Sequence, residues 1–301
     1  MLVVILFILF LLYPENVFFS ATKGLLLWYQ TILPTLFPFI IITSMLARSN
    51  AISIISKWFS YPFCKIFHIS PISLCAVISG FFCGYPMGAK MTADLVERKM
   101  ISKEEGAYII SFCNNASPMF LIQYLLHKSF SIYTYEWVYV SAFFISPILC
   151  SFLFRKFHDY SLYEPINAAD REHDCVWNIL DYAIGNGCEV ITKIGGYMML
   201  FSVIIELCLL LPLKGNWWYF IVIPCLEMTN GIEQLLVSPF SKMQQLILAS
   251  FIVSFGGVCA SFQTFSVMKK CKISKKLYII EKLITAAVTS FILYLFICVI
   301  R

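Results

Sequence analysis

The sequence predicts an all-α polytopic membrane protein, built as an inverted repeat with two re-entrant hairpins and two broken transmembrane helices. Three observations predict it. Of the 301 residues, 60% are hydrophobic and 13% charged, with a mean hydropathy of +0.81. A soluble fold of that length has too little interior to hide so much apolar surface. Apolar runs recur along the chain, and at roughly 20 residues per span there is room for about eight to ten membrane segments. Finally, two stretches break the run pattern in the same way and carry basic clusters at compatible places. A cytosolic enzyme, a nucleic-acid binder and a disordered chain are excluded by this composition.

Taken in order, Met1–Tyr13 is apolar and short and stops at Pro14-Glu15. No basic residue precedes the run and no A-x-A site follows it, so a retained first helix is preferred to a signal peptide. Gly24–Leu46 forms a second span that Pro34 and Pro38 should kink. Ala47–Ser70 mixes Arg48, Lys57 and Lys65 with aromatics and reads as interfacial. Pro71–Ser79 is apolar but too short to cross, and it runs into SGFFCGYPMGAK (Ser79–Lys90) and then polar Met91–Glu105. A half-length helix, a Gly/Pro tip and a returning half-helix make a re-entrant hairpin. Gly106–His127 can span, but FCNNASP (Phe112–Pro118) interrupts it; Trp137–Phe154 is a plain span.

Arg155–Glu189 is polar and too short for a domain, with Asp170–Asp174 a solvated turn. Gly195–Pro212 spans and carries Glu206. Short Trp217–Cys225 leads into LEMTNGIEQ (Leu226–Gln234), and Gln245–Met268 spans with FGGVCASFQ (Phe255–Gln263) inside it. A strongly basic loop follows (Lys269, Lys270, Lys272, Lys275, Lys276, Lys282), and Leu277–Ile300 closes the chain as the last span. The chain divides accordingly into an N-terminal helix (1–23), a first gate repeat (24–127), a connecting helix and polar loop (128–194), a second gate repeat (195–268), and a basic loop with the C-terminal helix (269–301).

The two interrupted units share a register: Gly84 to Asn114 and Glu227 to Gly257 are both 30 residues apart. Charge sets their orientation. With the Lys269–Lys282 loop in the cytoplasm, counting spans backwards puts Arg155, Lys156, Lys90, Arg98, Lys99 and Lys103 on that side as well, as the positive-inside rule requires. The first hairpin then enters from the cytoplasm and the second from outside. Interrupted segments at matching positions of inverted halves are the best sequence pointer to a secondary transporter's site.

Chemistry is expected at the interruptions, because free backbone groups in hydrocarbon persist only where protein or a cavity meets them. At the first tip, Gly84 and Gly88 allow close backbone approach, the helix after Tyr85-Pro86 points its N-terminal amides at a ligand, and Lys90 and Ser79 add donors. The alternative is that Gly80, Gly84 and Gly88, four apart, form a helix-packing face. Asn114, Asn115 and Ser117 lie near mid-membrane in the broken span, as ligand contacts or as helix-to-helix hydrogen bonds. In the second half Glu227, Thr229, Asn230 and Gln234 play the corresponding part, and Ser254, Ser261 and Gln263 flank Gly256-Gly257 and complete the polar lining. Glu227 and Glu206 are candidate coupling-ion or proton sites, the alternative for Glu227 being a solvated place at the outer interface. The basic loop sets topology and touches anionic lipid.

Twelve Cys form no C-x-x-C pair and four His are scattered, so no metal site or cofactor is expected. The motifs of an α/β-hydrolase, a zinc protease and a P-loop are missing, and the chain is not expected to be an enzyme.

ISGFFCGYPMGAKMTADLVERKMISKEEG, followed by FCNNASPMF, resembles the YlbJ (SpoVV) family of sporulation integral membrane proteins, with LEMTNG fitting a second gate. The likeness runs from about Gly24 to Met268. That family carries paired nucleoside-recognition gate domains and is similar to concentrative nucleoside transporters. The resemblance implies a multi-pass protein of the outer forespore membrane that moves dipicolinate from the mother cell toward the forespore for cortex formation, and, by analogy, a homotrimer. Dipicolinate is a small aromatic dianion, which helix N-termini and Lys90 suit, with Tyr85, Phe81, Phe82 and Phe112 available to stack on its ring. A nucleoside is the competing solute and would need Asn and Glu more than Lys. A membrane scaffold for spore-envelope assembly is the alternative outside transport.

Overall fold

The computed structural model describes residues 1–48, 63–158, 160, 175–210, 217–268 and 273–300, and all regular elements among them are helical. The chain is an all-α polytopic membrane protein. Among the described residues, five helical stretches are long and apolar enough to cross a bilayer: Pro14–Leu46, Glu136–Phe157, Val176–Leu209, Lys242–Val267 and Lys275–Val299. That is fewer than the eight to ten segments expected, because part of the apolar sequence is spent on half-length helices.

Helix α1 (Leu2–Leu12) ends at Tyr13, and α2 (Pro14–Leu27) begins at once with proline in its first turn. Pro14, read as a stop, is therefore also a start: its missing N–H costs nothing there and its φ is already helical. The expected boundary at 23/24 falls inside α2. A wide turn, Trp28–Ile32, joins α2 to α3 (Leu33–Arg48). It takes up the clash that the Pro34 ring would make with the preceding turn, so the expected kink is realised as a loosened turn. The turn is pinned by Trp28, whose Nε1–H donates to the Ile191 carbonyl at 2.9 Å while its ring lies over Gly195. Most of the interfacial segment lies outside the described residues, as does Asp170–Asp174.

The first hairpin is α4 (Leu74–Phe82), a tip at Cys83–Pro86 with a cis Tyr85-Pro86 bond, and α5 (Met87–Glu97). Next come α6 (Lys103–Cys113), an extended break, and α7 (Phe120–Ser129), which is wound in wide turns. Ser102 caps α6 by accepting the Glu105 N–H at 3.0 Å. Helix α8 (Glu136–Phe154) is the plain span. Helix α9 (Val176–Leu209) is far longer than the predicted Gly195–Pro212 and absorbs the second half of the polar region, including the expected 194/195 boundary. Its early polar residues hid an amphipathic stripe: Ile179, Ala183, Gly187, Val190 and Ile194 are buried, while Asp181, Glu189 and Lys193 face outward.

The second hairpin is α10 (Trp217–Ile221), a turn at Ile223–Cys225, and α11 (Met228–Leu236). It is followed by α12 (Lys242–Phe255), broken from α13 (Gly257–Val267) at Gly256, and by α14 (Lys275–Ile300). Gly256 and Gly257 have φ of 82° and 75°, left-handed values that suit glycine and end α12 where an L side chain would continue it.

The two hairpins enter from opposite ends, and α8 marks those ends. Glu136 at its start pairs with His127 at 2.6 Å, and His158 beyond its end pairs with Glu281 at 2.7 Å. Both bases of the first hairpin lie at the His158 end. Glu105, in the first turn of α6, accepts from the Ser70 N–H at 2.7 Å and the Ser73 hydroxyl at 2.6 Å, just ahead of α4. Lys103 shares a crevice with Phe157, His158 and Ile273. Both bases of the second lie at the Glu136 end. Phe220 of α10 meets Phe240 at 6.1 Å, and Gln245 of α12 reaches the Ser238 carbonyl at 3.2 Å. The start of α12 also packs with Phe130, Ile132 and the end of α14. The opposed hairpins inferred from charge are thus present in the fold, with Lys103, Arg155 and Lys275 gathered toward the His158 end.

Candidate functional site

A glycine sets the close packing of each hairpin, of α4 on the end of α6 in the first and of α11 on its own hairpin turn in the second. A Cβ on Gly80 would lie 1.9 Å from the Cys113 carbonyl oxygen, and one on Gly231 would lie 2.2 Å from that of Pro224. Gly88 meets Gly80 and Cys113 in the same way, so Gly80 and Gly88 are used in packing. Gly84, at φ 87°, brings the tip against the Ser117 backbone. In the second half the Cys259 N–H donates to the Leu226 carbonyl at 2.9 Å. Tips also reach across the repeats: the Tyr85 hydroxyl donates to the Ser254 carbonyl at 2.7 Å, and the Tyr124 hydroxyl to the Thr229 carbonyl at 3.2 Å.

Both tips and both breaks consequently border one space of about 40 Å³. Of the predicted residues, Gly84, Tyr85, Ser117, Glu227, Thr229 and Gln263 line it. Sequence reasoning missed the apolar side, Ile32, Leu36, Ile194 and Met198, contributed by the α2–α3 turn region and α9. The space holds about three waters at one probe sphere each. A solute the size of an aromatic dicarboxylate needs the two repeats to part.

Glu227 is 3% exposed and caps α11. Its carboxylate accepts from the Thr229 N–H at 3.1 Å, the Asn230 N–H at 2.9 Å, the Asn230 amide at 2.9 Å and the Thr229 hydroxyl. It is buried, not solvated, and negative charge at that helix start is favourable. Asn230 turns away to the Ser202 hydroxyl at 3.0 Å. Ser117 caps α7 through the Phe120 N–H at 3.2 Å, and the Gln263 amide contacts the Cys259 sulfur at 3.3 Å.

Other predicted residues lie elsewhere. Lys90 pairs with Asp94 one turn on, at 2.6 Å, and does not line the cavity. The sequence reading placed it by proximity to the tip, but α5 carries it on another face. Glu206 sits near the end of α9, where the Asn16 amide donates to it at 3.3 Å. Ser79 is buried in α4, off the lining.

Asn114 and Asn115 lie behind Tyr85 in a second polar cluster. The Asn114 amide ties α13 to α14, donating to Thr264 Oγ1 and Tyr278 Oη at 2.9 Å each. Asn115 donates to the Phe112 carbonyl at 2.7 Å. The cluster centres on a residue sequence reasoning assigned to the basic loop. Lys282 is 0% exposed; its ammonium donates to the Asn114 carbonyl at 2.8 Å and Asn115 Oδ1 at 3.1 Å, and lies 5.0 Å over the Tyr85 ring. The signal was available, since Lys282 falls within the apolar run Leu277–Ile300, where a lysine is expensive.

Among the described residues no group of three or more His, Cys, Asp or Glu is placed to hold a metal ion. No protein-family model matches the chain, and no solved structure matches it. A curated relative does: the sporulation integral membrane protein YlbJ of Bacillus subtilis strain 168 is 23% identical over 308 aligned residues, covering 90% of this chain and 75% of the relative. Joined to the GYPMGAK and FCNNASP segments and to the all-α membrane fold, that similarity supports the assignment of this chain to the YlbJ family.

Proposed function

We propose that this chain is a membrane transporter for a small anionic solute, with dipicolinate as the first candidate, carried from the mother cell toward the forespore across the outer forespore membrane. The relative's name ties that protein to sporulation, and we extend the setting to this chain. The observation that supports transport is the meeting of both hairpin tips and both helix breaks at one cavity between opposed repeats. Inverted broken-helix units around a mid-membrane site are the architecture of alternating access.

The mechanism follows from what joins the repeats. Tyr85–Ser254 and Tyr124–Thr229 are neutral hydrogen bonds, each of net value about 1 kcal/mol. Rocking one repeat against the other must also release the Asn114–Thr264 hydrogen bond and part the apolar cluster that Leu121 and Leu125 share with Ile232, Leu235 and Val253; it opens the cavity to one side. Helix starts suit an anion: α5, α7 and α13 begin at the cavity and present the positive ends of their dipoles, while the start of α11 is already met by Glu227. Carbonyls at the breaks are met by protein donors: Asn114 by Lys282, Ser254 by Tyr85 and Leu226 by Cys259. Tyr85 and Phe120 border the space and offer aromatic faces.

One observation favours a nucleoside instead. Among the described residues the one charged group lining the cavity is the Glu227 carboxylate, accompanied by Thr229, Gln263 and Ser117, a set that suits an uncharged, hydrogen-bonding ring. Uptake of labelled dipicolinate and of uridine into proteoliposomes, with and without an imposed ion gradient, separates the readings. Dipicolinate flux alone is expected. Uridine flux alone transfers the assignment to the nucleoside. Failure of folded, oriented protein to move either solute overturns the transporter and leaves an envelope scaffold.

A further inference from the structure

Lys282 is a wholly buried cation, and the groups it touches are oxygen acceptors and a ring face: the Asn114 carbonyl at 2.8 Å, Asn115 Oδ1 at 3.1 Å and the Tyr85 ring at 5.0 Å. The carboxylate next to it in sequence, Glu281, pairs with His158 at 2.7 Å. An ammonium without a paired anion is a costly thing to bury. What meets it here is the C-terminal end of a half-helix, α6, whose last carbonyls have no partner in the helix. In transporters with discontinuous helices, unwound carbonyls and half-helix C-terminal ends are where a free Na⁺ or proton is coordinated. At the second break, among the described residues, neutral donors meet the carbonyls: the Gly256 N–H reaches Ile252 at 2.8 Å and the Tyr85 hydroxyl reaches Ser254 at 2.7 Å.

We propose that Lys282 is a tethered cation occupying, at the first helix break, the place a free coupling cation would take. The charge that holds Asn114, Asn115 and the Tyr85-bearing tip together is built into α14, and this break needs no Na⁺. Tyr85 transmits the occupancy, since its ring faces the ammonium, its hydroxyl holds Ser254 of α12, and it borders the cavity. The word "coupling" rests on the transporter reading above; the occupancy of the break by Lys282 in place of a free ion does not.

The test is therefore made on stability, without any solute. The thermal midpoint of the detergent-solubilised full chain is measured in NaCl and in the chloride of N-methylglucamine, for wild type, Lys282→Ala and Lys282→Met. The wild type is expected to be indifferent to the exchange. Lys282→Ala leaves an ammonium-sized space beside two oxygens, and its midpoint should rise saturably by about 3 °C with NaCl or ethylammonium chloride. Lys282→Met fills that space with an apolar chain and should show no such rise. A saturable Na⁺-specific rise in the wild type overturns the proposal, because the break would then already bind the free ion. So does a Lys282→Ala protein that responds to neither cation. If Lys282→Ala does not fold, the wild-type comparison still decides between a tethered and a free cation. All three outcomes are read independently of transport, so failure of the transporter reading does not obscure them.

Discussion

The two helix breaks occupy matching positions and face one cavity, yet they are held by different chemistry. At the first, α6 stops at Asn114 and its exposed carbonyl is met by a side chain from a distant helix, the Lys282 ammonium, while Asn114 ties α13 to α14. At the second, α12 stops because Gly256 and Gly257 take left-handed conformations, and neutral donors meet its last carbonyls, the Gly256 N–H at Ile252 and the Tyr85 hydroxyl at Ser254. The negative charge of that half, Glu227, caps its own helix. Both breaks take a long-range side-chain donor, a lysine at the first and a neutral tyrosine hydroxyl at the second, and only the second is also set by left-handed glycines. An inverted repeat thus conserves geometry while leaving free the means of satisfying the opened backbone.

That contrast is sharpened by substitution. The largest effect is expected where the repeats are alike: Gly80→Ala and Gly231→Ala put a methyl 1.9 and 2.2 Å from a carbonyl oxygen. Each should cost about 3 kcal/mol or prevent folding, read as a lowered thermal midpoint in detergent. If either is neutral, the hairpin does not seat as described. Next is Glu227→Ala, which removes the cap of α11 and strands buried donors on Thr229 and Asn230; about 2–3 kcal/mol should be lost. Glu227→Gln should recover part of it.

Gly256→Ala tests the backbone-held break. It imposes a left-handed φ on alanine and brings its methyl 2.9 Å from the Tyr85 ring, at an expected cost of about 2 kcal/mol. Tyr85→Phe removes one inter-repeat hydrogen bond and should cost about 1 kcal/mol, adding to Tyr124→Phe without coupling if the two ties are independent. The smallest effect belongs to Lys90→Ala, which removes a pair between neighbours on one helix and should stay below about 0.5 kcal/mol.

The sequence was informative where a break is written in residue types. The tip at Gly84-Tyr85-Pro86, the FCNNASP interruption, the Gly256-Gly257 stop and the shared 30-residue register are legible because glycine, proline and asparagine cluster there within a few residues. Charge gave the opposed entry of the hairpins. Less legible was anything decided by which face a helix turns. Lys90 stands close to the tip in sequence but on a face of α5 where Asp94 takes it. Lys282 follows Lys275 and Lys276 in the chain and was grouped with them, although two turns of helix carry it from the surface to the centre. Glu105 reads as part of a polar loop, yet it is 0% exposed and organises the start of α4 through Ser70 and Ser73. The length of α9 was obscured by polar residues that occupy only its outer stripe.

The central claim is that the solute site lies where both tips and both breaks meet, not at the basic residue beside the first tip. The most direct measurement is the initial rate of dipicolinate uptake by proteoliposomes carrying wild type, Gln263→Ala or Lys90→Ala at equal protein density. The account predicts a loss of about tenfold for Gln263→Ala, the value of one hydrogen bond to the solute, and a rate within about twofold of wild type for Lys90→Ala. Unchanged uptake by Gln263→Ala together with abolished uptake by Lys90→Ala would contradict it and move the site to the outer face of α5.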